Sequence, residues 1–118
     1  MTPFVLLAGL MAQFAVHPTG DVDATGDARI TGKMRCSEPA HAIVEIELSQ
    51  EIHGRLLTAV DFVEFECGPQ GKTWRVVLRT GRVGFREGPA FVEGFGEAST
   101  AEEAVGMTVN QPVVLERP

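Results

Sequence analysis

Ala28–Cys36 reads ARITGKMRC, and its side chains fall into two sets. Ala28, Ile30, Met34 and Cys36, with Gly32 in the series, alternate with Arg29, Thr31, Lys33 and Arg35. Successive side chains of an extended chain point to opposite faces, so this stretch is a strand with one buried face and one basic outer face. The same period recurs in both directions. Ala42–Gln50 sets Ala42, Val44, Ile46 and Leu48 against Glu45, Glu47 and Ser49. Phe62–Cys67 sets Val63, Phe65 and Cys67 against Glu64 and Glu66, and Thr73–Arg79 sets Trp74, Val76 and Leu78 against Arg75 and Arg79. Pro89–Ala98 alternates Ala90, Val92, Gly94, Gly96 and Ala98 with Phe91, Glu93, Phe95 and Glu97. Arg55–Thr58 is a weaker strand at an edge, and Pro112 within Met107–Leu115 marks an edge or a bulge.

Turn chemistry separates these runs. His17–Gly20, Ser37–Pro39 and Gly68–Gly71 are turns, Asp21–Asp27 is a polar loop, and Thr80–Gly88 holds three glycines in a loop. Ser99–Glu102 fits a capping box and predicts one helical turn. Seven to eight strands of five to nine residues, with turns roughly every 8–12 residues, predict an all-β antiparallel sandwich. No strand alternates with a helix-length pattern, which argues against a parallel α/β sheet.

At 118 residues the chain is one domain, and at 44% apolar and 22% charged residues it is not globally disordered. Sixteen acids against ten bases give a net charge of −6, which argues against a nucleic-acid partner. Phe4–Val16 is apolar except for Gln13, but its 13 residues fall short of a membrane span. Residues 1–15 are therefore treated apart from the domain at 16–118, as a leader remnant or a donated strand. As a leader the segment lacks a basic start. As a strand it is apolar on both faces, and it is expected to pack on a sandwich, that of another copy rather than its own, through Phe4, Leu6, Leu10 and Phe14. Donation of that kind does not close on itself and would build a fibre.

From Val16 onward the chain resembles secreted actinobacterial immunoglobulin-like β-sandwich domains of unknown function. The residues that carry the resemblance are VHPTG (Val16–Gly20), ITGKMRC (Ile30–Cys36), VEIELSQ (Val44–Gln50), CGPQGKTW (Cys67–Trp74) and FREGPAFVE (Phe85–Glu93). The resemblance implies an immunoglobulin-like sandwich, export and a Cys36–Cys67 bridge, and it implies no activity. Trp74 follows both cysteines instead of lying between them, a departure from antibody-type domains. The cysteines themselves, far apart and on core-facing positions, read as one structural disulfide in an oxidising compartment, with two buried thiols as the alternative.

Few residues suggest chemistry. Asp21, Asp23 and Asp27 in DVDATGD form a weak calcium candidate, with a solvated turn as the plainer reading. His17, His41 and His53 lack metal-ligand spacing, and no serine sits in a GxSxG, so neither zinc nor a hydrolytic triad is expected. A Lys–Asn isopeptide bond would have to use Asn110 with Lys33 or Lys72, and Lys33 falls on an outer face. Phe91 and Phe95 share a side with Glu93 and Glu97 and form either an exposed contact or the core face. The acidic Glu45, Glu47, Glu64 and Glu66 are expected to pair across strands with Arg75 and Arg79. The expectation is a secreted or cell-surface protein with a structural or protein-binding role, partnered by protein or by its own copies, with no enzymatic activity and no cofactor. The alternative is a carrier holding a small molecule in a cleft between sheets lined by Phe91, Phe95 and Trp74.

Overall fold

The alternating runs become eight strands and no helix in the computed structural model, which describes residues 9–81 and 83–118. They are β1 (Ala12–Val16), β2 (Thr19–Val22), β3 (Ala28–Cys36), β4 (Ala40–Ile52), β5 (Arg55–Cys67), β6 (Lys72–Leu78), β7 (Gly88–Ser99) and β8 (Ala104–Glu116). All belong to one hydrogen-bonded sheet in the order β1-β3-β2-β8-β7-β4-β5, with β6 paired to β3. Every pairing is antiparallel except β2 with β8, which is parallel.

The sheet has two arms, β6-β3-β1 and β8-β7-β4-β5, whose apolar sides share one core. Ile30, Met34, Val44, Ile46, Leu48, Val76, Leu78 and Val92 are all essentially inaccessible there. Trp74 is buried as expected, opposite Gly32 on β3. Phe14 of β1 shows how closely the arms approach. Its ring lies across Gly94 and Gly96 of β7, where a Cβ on Gly96 would come within 3.0 Å of the ring. Phe14 also stands 5.7 Å from the Trp74 ring, centroid to centroid. Cys36 and Cys67, on β3 and β5, are joined in a disulfide with their Cα atoms 5.7 Å apart, and the bond ties the ends of the two arms.

The long β4-β5 hairpin turns on two residues, His53 and Gly54, with φ of 52° and 77°. Two consecutive left-handed residues match the twist of a two-residue hairpin. This turn carries β5 without a break from Arg55 to Cys67, where the sequence suggested two separate segments. The run hides because Asp61 occupies a core-side position yet stays exposed. β5 is also an edge strand, and a charge at such a position discourages further pairing.

Other expectations are corrected. Thr19–Val22 is strand β2, not turn and loop, and only Val22 of it is fully buried. Four residues are too few for a period to show against polar neighbours. No helical turn forms at Ser99–Glu102. The Thr100 hydroxyl accepts 3.3 Å bonds from the Glu102 and Glu103 amides as a cap would, but the chain goes straight into β8. Of the two readings of Pro112, the bulge is excluded and the edge holds: it sits in register opposite Phe91, where β8 pairs with β7 alone. Of the segment expected to be donated to another copy, the described part lies on its own chain. Ala12–Val16 pairs with β3 of its own chain, Leu10 is buried in its own core, and Phe14 is half-buried on Gly94 and Gly96. The segment is further pinned by a 2.5 Å bond from the Leu10 amide to Glu103 and by a reciprocal pair between Met11 and Ser37. Phe4 and Leu6 lie outside the described residues.

Candidate functional site

The outer face of the β8-β7-β4-β5 arm is built by the register of its strands. Across β5, β4, β7 and β8 it presents the rows Thr58–Ser49–Phe91–Pro112, Val60–Glu47–Glu93–Asn110, Phe62–Glu45–Phe95–Thr108 and Glu64–Ile43–Glu97–Gly106. A last row, Glu66–His41–Ser99–Ala104, closes it, and the Glu51–Leu56 pair extends it along the hairpin. Leu56, Val60, Phe62, Phe91 and Phe95 are 71, 55, 53, 42 and 39% exposed. For Phe91 and Phe95 these values decide between the two sequence readings. They face solvent, and the Ala/Gly series of β7 takes the core side. The Phe95 ring lies over Gly106 of the neighbouring strand, which fixes its place on the face.

The charge on this face is one-sided. Glu45, Glu47, Glu51, Glu64, Glu66, Glu93 and Glu97 stand in these rows with His41 as their one basic companion. Glu47 and Glu93 are direct cross-strand neighbours, an arrangement that costs stability. Glu64 and Glu66 engage His41, at 2.9 Å to Nε2 and 3.5 Å to Nδ1, and these hydrogen bonds, Glu64 first, raise the imidazole pKa above its ordinary value. The expected pairing of the glutamates with Arg75 and Arg79 does not occur. Those arginines lie on the other arm, whose outer side points away, and Arg79 bonds Asp27 at 3.2 Å instead.

The calcium candidate is occupied by the chain itself. Asp23 Oδ1 accepts from the Thr25 hydroxyl and from the Thr25 and Asp27 amides, while Arg29 reaches both Asp21 and Asp23. The Thr25 hydroxyl bond is the chief reason the Asp23 carboxyl is lowered to about 2. These carboxylates face arginines instead of one another, and no group of three or more His, Cys, Asp or Glu able to hold a metal occurs among the described residues. The isopeptide partners are equally separate, with Lys33 outside one arm and Asn110 outside the other. Nor do Phe91, Phe95 and Trp74 line one cleft, because Trp74 is in the core and the two phenylalanines are outside.

Sequence reasoning missed Leu56, Val60 and Phe62. Their even-numbered positions, shared with Glu64 and Glu66, put them on one face of β5, and the exposed Asp61 on the opposite parity masks that continuity in the sequence. No helix among the described residues is long and apolar enough to cross a membrane. Compared with known proteins, the chain matches no family model and no curated protein.

Proposed function

We propose that this chain is a non-catalytic immunoglobulin-like β-sandwich, exported or held at the cell surface. Its structural or binding role is exercised on protein through the outer face of β8-β7-β4-β5. The observation that carries the reading is the Phe62–Glu45–Phe95 row, in which two exposed rings flank a glutamate on adjacent strands. Scattered surface apolar residues are ordinary, but a run of Leu56, Val60, Phe62, Phe91 and Phe95 on one face is the composition of a contact surface. The like-charged Glu47–Glu93 pair points the same way, since it weakens the isolated fold and is relieved by a cationic partner. The disulfide supports an oxidising location. The two arms packed over one core, with Phe14 of one on Gly94 and Gly96 of the other, support the sandwich reading.

The test is selection of a displayed random-peptide library on the immobilised, folded chain. The expected winners combine Lys or Arg with apolar side chains. The double variant Phe62→Ser/Phe95→Ser is expected to bind them roughly tenfold or more weakly, the size of effect seen when central aromatic contacts are truncated. Absence of enrichment, or enrichment that ignores the two serines, would end this reading.

A further inference from the structure

The outer side of the β6-β3-β1 arm carries the opposite chemistry. Arg29, Thr31, Lys33 and Arg35 of β3 stand there beside Thr73, Arg75 and Val77 of β6, with Arg79 just past its end. Arg29 and Arg79 are committed to Asp21, Asp23 and Asp27. Lys33, Arg35, Lys72 and Arg75 are exposed and make no ion pair among the described residues. Between β1, the end of β3 and the start of β6 runs an open groove of about 400 Å³. Ala15 and the half-buried Phe14 give it apolar lining, and Lys33, Arg35 and Lys72 give it charge, with no carboxylate among its lining residues.

We propose that the acidic, phenylalanine-bearing face of one copy docks on this basic groove of a second copy, in a head-to-tail contact that repeats from copy to copy. The partner is thereby named for the binding face described above, and the inference rests on that reading. Three features of the two surfaces match. Rings of the Phe62–Glu45–Phe95 row meet apolar groove lining, and their glutamate neighbours meet unpaired cations. Lysine and arginine heads set over phenyl faces add cation–π attraction. Both surfaces are also strand lattices with the same spacing of about 4.8 Å, so Phe62 and Phe95, two strands apart, span roughly the distance from β1 to β6.

The competing self-contact, acidic face on acidic face, brings seven glutamates against seven and is disfavoured. Because donor and acceptor surfaces lie on opposite sides of the molecule, the contact is heterologous and leaves both ends open. The basic side is the narrower. Its strands, five, nine and seven residues long and about 4.8 Å apart, present roughly 330 Å² in projection. That places the contact among weak, reversible interfaces rather than permanent ones.

Sedimentation velocity of the full chain tests the proposal. The mean mass is expected to rise with concentration up to about 1 mM, the affinity limit of a weak contact. The rise is expected to shrink between about 0.01 M and about 1 M salt, as the screening length falls from about 30 Å to about 3 Å. Two variants at exposed positions then assign the surfaces, their folding checked by urea unfolding midpoints. Phe62→Ser/Phe95→Ser and Lys33→Ser/Arg35→Ser are each expected to stay monomeric alone. Mixed in equal amounts they are expected to form a species of two chains and nothing larger, because each supplies the surface the other lacks. A wild type that stays monomeric throughout overturns the proposal, as does association that survives in either variant or a mixture that forms no pair. If peptides selected on the chain depend on Phe62 and Phe95 while the chain remains a monomer, the partner is foreign. The head-to-tail contact then falls and the binding face stands.

Discussion

His41 stands on the outer face with Glu64 at 2.9 Å and Glu66 at 3.5 Å, and this local geometry sets its titration. Both carboxylates favour the imidazolium, so its midpoint is expected above the ordinary 6.5. A group whose pKa is raised on folding contributes stability that is fully present below its unfolded pKa and fades as pH rises through the folded one. The contribution of His41 is therefore fully present below pH 6.5 and is lost as pH rises through its raised folded midpoint. Proton NMR of the three histidines measures the midpoint directly. Glu64→Gln is expected to move the His41 midpoint down towards 6.5, because it removes the leading hydrogen-bonding carboxylate. A midpoint unmoved by that substitution would show the 2.9 Å pair to be unimportant in solution. Asp23 behaves in the opposite sense. Its carboxyl, lowered from 3.8 to about 2, contributes stability present above pH 3.8 and lost as pH falls through about 2.

Strand β1 depends on what its neighbours lack. Phe14 lies over β7 because Gly94 and Gly96 have no side chains there, and a Cβ at Gly96 would meet the ring at 3.0–3.2 Å. Gly96→Val is expected to destabilise the chain by about 1–3 kcal/mol, the usual cost of overpacking, despite the better strand propensity of valine. In a Phe14→Ala background the same substitution is expected to cost less, and urea unfolding of the two single variants and the double measures that coupling. Equal cost in both backgrounds would mean that the ring does not occupy the glycine surface. The Gly94/Gly96 series was visible in the sequence, and so was the alternation of β3, β4, β6 and β7, since a half-buried strand writes its two faces into the residue order. What faced the glycines was not visible, because contacts between arms are set by topology. β2 was too short and too polar to announce itself, and its parallel pairing with β8 has no local sequence marker. The candidate face was half legible. Phe91 and Phe95 stood out beside Glu93 and Glu97, whereas Phe62 was hidden by the false break at Ala59–Asp61.

Over the whole molecule, β3 belongs to one arm and β5 is the edge strand of the other, separated along the sheet by β2, β8, β7 and β4. Sheet pairing connects them by that long route, whereas the Cys36–Cys67 disulfide and the bond from the Cys36 amide to the Gly68 carbonyl join their ends directly. The cysteines are 31 residues apart, and closing a loop of that length restricts the unfolded chain by roughly 3–4 kcal/mol in the chain-entropy model. Domains of this size have about 5–15 kcal/mol in hand, so reduction is expected to weaken the fold without abolishing it at room temperature. Urea unfolding with and without a phosphine reductant measures the difference, and the reduced chain is expected to unfold at lower urea by an amount equivalent to that loss. The strands that respond first identify the mechanism. β4 is held on both sides by β5 and β7, whereas β5 has β4 alone as its sheet partner. Amide exchange after reduction is therefore expected to accelerate in the Val63–Cys67 end of β5 and the Gly68–Gly71 turn before it does in β4. Uniform acceleration would mean that the bond acts only through the unfolded chain. Selective acceleration would mean that it also holds the two arms together at their shared end.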